Sequence, residues 1–361
     1  MTNRKINVLV VDDSRVARML LVHLLESDPQ IHVIGAANDG QSALDFLKEN
    51  KPDVVLMDIH MPRLDGFEAT RLIMETQPVP IIICTATRDP KEVATTFRMM
   101  EAGAVAGVEK PVAREHPDFE QLVANLLQTI KLMSEVKVVR RWPRLRSTPL
   151  VAPAARPTEW KPAPAGVTFV GVGASTGGPP VLQTLLSSLP KDFPGSILIV
   201  QHIARGFLPG LVEWLNQTTG FPVHVASHGT CPLPGHAYLA PDDFHMGVNT
   251  SGHILLTREE PENGLRPAVS YLLRSLAEVC GPNALGVLLT GMGKDGAAEL
   301  KLMKDRGATT IAQDRESSVV HGMPAEAIEL GGATLVLPAD KIADTLVTLA
   351  HRRQAAGANK L

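Results

Sequence analysis

Cysteine is scarce. The 361-residue chain has three, Cys84, Cys231 and Cys280, too few and too scattered for a disulfide framework or a Cys-based zinc site. Reduced, buried thiols in a cytoplasmic protein are expected instead. Aromatic residues make up only 4%, so a core must be built from Val, Leu, Ile, Ala and Met. No apolar run approaches the ~18 to 20 residues needed to cross a bilayer, and no membrane insertion is expected. Acids follow directly on the apolar run of MTNRKINVLVVDDS, with no small-residue cleavage site, which argues against a signal peptide. A large charge of one sign is also missing. Lys and Arg number 35 against 38 Asp and Glu, a net −3, which argues against a general polyanion binder while leaving a local basic patch open. What remains is 44% hydrophobic and 20% charged, the balance of a soluble globular chain, and its length suggests two domains at roughly 150 residues each.

Charge divides unevenly along the chain. Residues 1–130 carry 13 Lys/Arg and 19 Asp/Glu, residues 131–166 carry 8 and 2, and residues 167–361 carry 14 and 17. Six prolines fall between Trp142 and Gly166. Proline stops helices and favours extended chain, so 131–166 reads as a basic, semi-stiff linker between two acidic domains, 1–130 and 167–361. No repeat with a period of ~20 to 50 residues is present.

In the first domain INVLVVDD, IHVIGAA, DVVLMD and VPIIICTA are short apolar runs, each followed by a polar stretch with helical spacing. A weaker fifth strand is expected around Ala104–Val108. Continuous apolar strands alternating with helices imply a parallel sheet covered on both faces. The second domain repeats this with TFVGVG, SILIVQH and ALGVLLT. Between the latter two, PVHVASHG, HAYLAP and MGVNTSGHILLT suggest a hairpin-rich insertion. Both domains are therefore α/β.

Asp12 and Asp13 end the first strand, Asp58 the third and Thr85 the fourth, and Lys110 follows the fifth. Carboxyl ends of parallel strands share one edge, where ligands bind. Three carboxylates gathered there repel unless a hard cation such as Mg²⁺ joins them. A hydroxyl and an ammonium would complete a phosphoryl-binding pocket. The plainer alternative is that Asp12 and Asp13 merely cap the helix that follows. VLVVDDS, LMDIHMPRLDGFE, CTA and EKP together resemble the receiver domain of two-component response regulators. The resemblance implies a flavodoxin-like five-stranded parallel sheet and phosphorylation of Asp58 by a histidine kinase. Asp12, Asp13, Asp58 and the backbone carbonyl of His60 would hold Mg²⁺, and Thr85 and Lys110 would hold the phosphoryl oxygens. It also implies a cis Lys110–Pro111 bond. One position departs from the pattern: Gly107 stands where receivers usually carry a switching aromatic.

In the second domain Gly173-Ala-Ser175-Thr-Gly177 follows a strand, as in the G-x-S-x-G elbow that exposes a nucleophilic hydroxyl. A glycine-rich dinucleotide turn beginning at Gly171 is the alternative, but Gly177 falls one position late and no acid ends the next strand. A serine needs a base, and His202 ends that next strand. Asp295, in TGMGKDG, follows ALGVLL. Three strands thus deliver Ser, His and Asp to one edge, the requirement of a triad. Of the other histidines, His321 in SVVHGMPAEA ranks second as base. The chain order Ser, His, Asp disfavours a lipase-type fold.

GVGASTGGP, IVQH, LTGMGKDGA and GMPAEAIELGGA resemble the catalytic domain of the chemotaxis methylesterase (CheB) family. The resemblance implies a doubly wound, mainly parallel α/β domain with a β-hairpin insertion. Ser175 would be nucleophile, His202 base and Asp295 its orienter, with the Met292 amide as oxyanion donor and Thr176 near the site. It also implies hydrolysis of glutamate methyl esters on methyl-accepting chemoreceptors, deamidation of certain glutamines, a chemotaxis histidine kinase as phosphodonor, and no cofactor for the ester chemistry. Ser270 departs from the family's frequent acid. Two rivals remain: a small-molecule serine esterase, and a regulator that only binds, for instance DNA. The acidic second domain and the lack of a helix-turn-helix pattern oppose nucleic-acid binding.

Overall fold

The computed structural model describes residues 4–86, 90–111, 119–136, 138 and 168–358. Most of the 131–166 stretch therefore lies outside the described residues. The first unit runs β1 (Ile6–Val11), α1 (Arg15–Glu26), β2 (Ile31–Ala37), α2 (Gly40–Glu49), β3 (Val54–Met57), α3 (Gly66–Thr76), β4 (Ile81–Thr85), α4 (Pro90–Ala102), β5 (Ala106–Glu109) and α5 (Phe119–Met133). Its strands form one parallel sheet in the order β2-β1-β3-β4-β5. Alternate residues of each strand serve opposite faces. Val8, Val10 and Leu56 pack with Leu21, Leu25, Leu126 and Ile130, whereas Leu9, Val11 and Met57 pack with Leu47, Ala69 and Ile73. Both faces are buried, which is why these strands read as unbroken apolar runs.

The second unit runs β6 (Thr168–Ala174), α6 (Gly178–Ser188), β7 (Gly195–Gln201), α7 (Leu208–Thr219), β8 (Val223–Val225), β9 (Ala237–Leu239), β10 (His245–Val248), β11 (Ile254–Thr257), α8 (Val269–Val279), β12 (Ala284–Leu288), α9 (Ala297–Asp305), β13 (Thr309–Gln313), α10 (Met323–Glu329), β14 (Leu335–Leu337) and α11 (Ala339–Ala358). Seven strands form a parallel sheet in the order β14-β13-β12-β6-β7-β9-β8. The expected hairpin is β10–β11, antiparallel and closed by Asn249-Thr-Ser-Gly252. β8 and β9 differ from expectation. They pair with each other in parallel and extend the main sheet, because the eleven residues between Val225 and Ala237 leave room for the chain to return to the starting edge. No helix among the described residues is long and apolar enough to cross a membrane.

Gly171 and Gly173 lie inside β6, which removes the dinucleotide-turn alternative. A methyl on Gly173 would sit 2.3 Å from Val269 Cγ1, and one on Gly171 2.5 Å from Leu276 Cδ1. The two glycines let α8 lie directly on the strand backbone. Gly173→Ala should therefore lower stability by about 1–3 kcal/mol through overpacking, read as a lower urea midpoint at unchanged slope.

The two units touch through α4. Phe97 stacks on Trp214 of α7, ring centroids 5.6 Å apart, and both are buried. Glu101 accepts hydrogen bonds from Trp214 Nε1 (3.2 Å) and Gln183 Nε2 (2.7 Å), and Arg98 donates to Gln217 (3.0 Å).

Candidate functional site

β1 and β3 are neighbours, as are β4 and β5, so the ends of four strands meet over one pocket. Lys110 Nζ lies 2.7 Å from Asp12 Oδ2 and 3.0 Å from Asp58 Oδ2, and all three residues are buried. Carboxylate oxygens of Asp12, Asp13 and Asp58 lie within 4.8 Å of one another. Asp12 Oδ1 accepts the Ser14 N–H at 2.9 Å, while the Ser14 hydroxyl itself caps α1 by accepting from Ala17. The helix cap is thus Ser14, and the aspartates are left to the pocket. Burial raises the Asp58 carboxyl above its ordinary range, and Lys110 offsets this only in part. Burial works against the charge on Lys110, but Asp12 and Asp58 hold its ammonium above the usual range. Three carboxylates facing one ammonium fit a divalent, oxygen-seeking cation.

Thr85 is buried at the end of β4, and His60, with an exposed side chain, sits two residues past Asp58. Cys84, fully buried under the pocket, is pushed up to about 12 by desolvation and is no nucleophile. One feature of this region differs from expectation. The cis peptide bond among the described residues is Arg266–Pro267, not Lys110–Pro111; Lys110 reaches both aspartates without it. At Gly107 a methyl would lie 3.0 Å from Thr96 Cγ2 of α4, so a side chain there would require Thr96 to give way.

In the second unit Ser175 directly follows β6. The pairing of Ala174 with Gln201 sets Ser175 and His202 side by side as the chain leaves β6 and β7. The Ser175 N–H donates to Thr290 O (3.0 Å), and its carbonyl accepts from Gly178 N–H and Gln201 Nε2, both at 2.8 Å. Gln201 Nε2 also donates to the His202 carbonyl at 2.8 Å, tying the two residues together. Gly291 is needed where it stands: a methyl there would lie 2.6 Å from Ser175 Cβ. Met292 follows Gly291 directly in the chain. Thr176 presents its carbonyl to Thr290 Oγ1 at 3.0 Å.

Asp295 leaves the β12 side of the sheet, almost completely buried. Its Oδ2 lies 2.9 Å from His202 Nε2, a hydrogen-bond length at imperfect alignment, so Nδ1 remains on the opposite side of the ring. Two amides at the start of α8 donate to the same carboxylate, Val269 N–H at 2.7 Å and Ser270 N–H at 3.0 Å. Burial alone would push the Asp295 carboxyl up, but the His202 ring, Ser270 and Val269 together hold it below the ordinary range. Ser270 Oγ in turn accepts the Gly296 N–H at 3.0 Å. Ser270, buried, therefore braces the loop of Asp295.

The competing histidines are engaged elsewhere. His321 Nε2 lies 3.2 Å from Gln313 O, His224 and His236 bond each other at 2.8 Å, and His228 accepts from Leu256 N–H. Gln201, Thr290 and Gln313, whose Oε1 accepts the Thr290 N–H at 2.8 Å, were not legible as site residues. The one signal was a buried glutamine closing an otherwise apolar strand, directly before His202.

Comparison with known proteins covers both units. The CheB methylesterase family model matches residues 170–346, and the response regulator receiver domain model matches residues 8–126. A protein-glutamate methylesterase/protein-glutamine glutaminase of Nitrosospira multiformis is 55% identical over 96% of this chain and 98% of its own. One from Geobacter metallireducens is 53% identical over 96% of this chain and 100% of its own. The crystal structure of the Thermotoga maritima CheB methylesterase catalytic domain is 41% identical, with TM-score 0.49, over 51% of this chain and 99% of that one. At 55% identity over 96% of its length, and with both family models matched, the chain belongs to the CheB family of receiver-linked methylesterases.

Proposed function

We propose that the protein is a phosphorylation-regulated protein-glutamate methylesterase that also deamidates glutamine, acting in the cytoplasm on chemoreceptors during chemosensory adaptation. The observation that carries this reading is the convergence of Ser175, His202 and Asp295 at the ends of neighbouring parallel strands. Ser175 attacks the side-chain ester carbonyl while His202 takes its proton through Nδ1, the nitrogen turned away from Asp295. Asp295 orients the ring and stabilises the imidazolium. The imperfect alignment of this pair is common before substrate binds and tightens in the complex. The Met292 amide receives the oxyanion, with Thr176 nearby, a donor of the kind worth ~3 kcal/mol of barrier. As the bond to the acyl carbon breaks, His202 returns the proton to the departing methoxide oxygen, giving methanol, or to the departing nitrogen of glutamine, giving ammonia. Water, deprotonated by His202, then releases glutamate and restores the serine.

The same reading divides the chain into a receiver (1–130), a linker (131–166) and a catalytic domain (167–361). A chemotaxis histidine kinase phosphorylates Asp58, with Thr85 and Lys110 holding the phosphoryl oxygens. Asp12, Asp13, Asp58 and the His60 carbonyl would hold Mg²⁺, which would offset the charge of the incoming phosphoryl group. Inhibition by the unphosphorylated receiver is supported at two points. Gln128 of α5 donates to Met292 Sδ at 3.2 Å, and Val319, which packs over Gly177, also packs on the receiver core.

The test is methanol release from methylated receptor membranes, with and without a small phosphodonor. Phosphorylation should raise the rate about 5- to 150-fold, a coupling of ~1–3 kcal/mol. Asp58→Asn should hold the low rate, because an amide cannot form the acyl phosphate. Phe97→Ala, which removes the stack on Trp214, should raise the rate without a phosphodonor. No methanol under any condition would sink the activity, and a rate indifferent to all three would sink the regulation.

A further inference from the structure

His245 opens β10 and is fully buried. Its Nε2 lies 3.1 Å from the Glu260 carbonyl oxygen, and its Nδ1 faces the Ala268 N–H at 3.3 Å. A carbonyl only accepts and an amide only donates, so the ring carries its proton on Nε2 and accepts on Nδ1. The ring also stacks on Tyr271, centroids 4.8 Å apart. The two atoms it grips bound one segment, Glu260 to Ala268. Leu265, Arg266 and Pro267 of that segment line the cleft beside His202. Arg266 Nη1 closes the segment's base on the carbonyls of Arg258 (3.3 Å) and Glu259 (3.0 Å). Ala268 immediately precedes Val269 and Ser270, whose amides hold the Asp295 carboxylate. Asp295 therefore takes its position from the first turn of α8, and His245 holds the residue that opens that turn, beside the packing of Val269 on β6.

We propose that His245 is a positioning residue for the ester hydrolysis, one nitrogen setting the cleft wall and the other setting the amides beneath Asp295. This rests on the reading of Ser175, His202 and Asp295 given above. Loss of the Nδ1 acceptor frees the start of α8, so Asp295 supports the His202 imidazolium less well. Loss of the Nε2 donor frees the Glu260 end, so the cleft wall no longer holds its shape for a helical substrate. The two losses act on different kinetic constants: the first on kcat, the second on KM.

Full-length His245→Asn and His245→Phe separate them. The asparagine Oδ1 takes the place of Nδ1 and keeps the Ala268 bond while giving up Nε2. Phenylalanine keeps the ring shape and the Tyr271 stack and gives up both bonds. On methylated receptor membranes His245→Phe should lower kcat about 10- to 100-fold, the cost of misplacing a group that orients the base. It should also move the acid limb of kcat/KM to lower pH, because an imidazolium with a poorly placed carboxylate loses its proton more readily. His245→Asn should keep the wild-type acid limb and most of kcat while raising KM. ¹⁵N spectra of the Ser175→Ala protein, which needs no turnover, should show His245 as the Nε2–H tautomer. A wild-type kcat and acid limb in His245→Phe, an equal loss in both variants, or an Nδ1–H tautomer would each overturn the proposal. Activity surviving in Ser175→Ala would instead overturn the triad reading, and the spectra would still judge the His245 geometry.

Discussion

Ser175→Ala should abolish methanol release, lowering kcat on methylated receptor membranes by as much as ~10⁶-fold, the scale at which a triad nucleophile fails as part of one unit. Removing one oxygen leaves the turn standing, because Ser175 is held by its backbone: N–H to Thr290, carbonyl to Gly178 and Gln201. Phosphorylation of Asp58 should continue at its normal rate, since Lys110, Asp12 and Asp58 make a pocket on the other sheet. Incorporation of radiolabel from a phosphodonor and methanol release are measured on the same preparation. A folded Ser175→Ala protein that phosphorylates normally and still releases methanol would exclude Ser175 as nucleophile.

Asp295→Asn should cost ~10⁴-fold in kcat, because an amide neither selects the ring tautomer nor balances the imidazolium. Its carbonyl oxygen can still accept from the start of α8, so the fold should survive. Asp295→Ala leaves the Val269 and Ser270 amides without an acceptor and should destabilise by a further ~1–2 kcal/mol, the cost of a lost helix cap. The two variants thus separate the catalytic and capping duties of one carboxylate by activity and by urea melting. The pH dependence follows in sign. A carboxyl held below its ordinary 3.8 contributes stability that is fully present above that value and is lost as pH falls through the folded pKa. The stability gap between the wild type and Asp295→Asn should therefore close on acidification below about pH 4. An activity loss of only a few fold would pass the orienting role to another acid.

The strands that carry functional residues were legible because each is a run of buried aliphatics ending in a polar residue. Val8 to Val11 followed by Asp12, and Leu285 to Leu289 followed by the glycine-rich loop of Asp295, leave little ambiguity. β13 and β14 went unseen. TTIAQ has only two apolar residues, flanked by polar ones, and the hydroxyl of its buried Thr310 is satisfied by Gly332 O and Thr334. Such a bond joins segments more than twenty residues apart and leaves no local pattern. β8 and β9 are three residues each, too short for periodicity to distinguish a hairpin from two parallel strands. The same limit applies at the site. Asp12, Asp58, Ser175 and His202 could be placed by topology, whereas Gln201, Ser270 and Gln313 take their roles from tertiary hydrogen bonds. Gly107 was visible as a departure, but only the packing of Thr96 and Met100 of α4 reveals what occupies the space.

The bare backbone of β6 at Gly171 and Gly173 sets a mechanical tolerance. Helices usually rest on a sheet through a layer of side chains, each free to hop between rotamers and so to pass play from one element to the next. Here α8 presses Val269, Leu273 and Leu276 onto peptide groups of the very strand that leads into Ser175. Peptide planes have no rotamers to exchange. The offset between the amides that seat the acid and the strand that seats the serine is consequently set by contact with a nearly rigid surface. Small shifts in elements outside this contact can then be absorbed without opening the gap between Ser175 and the seat of Asp295.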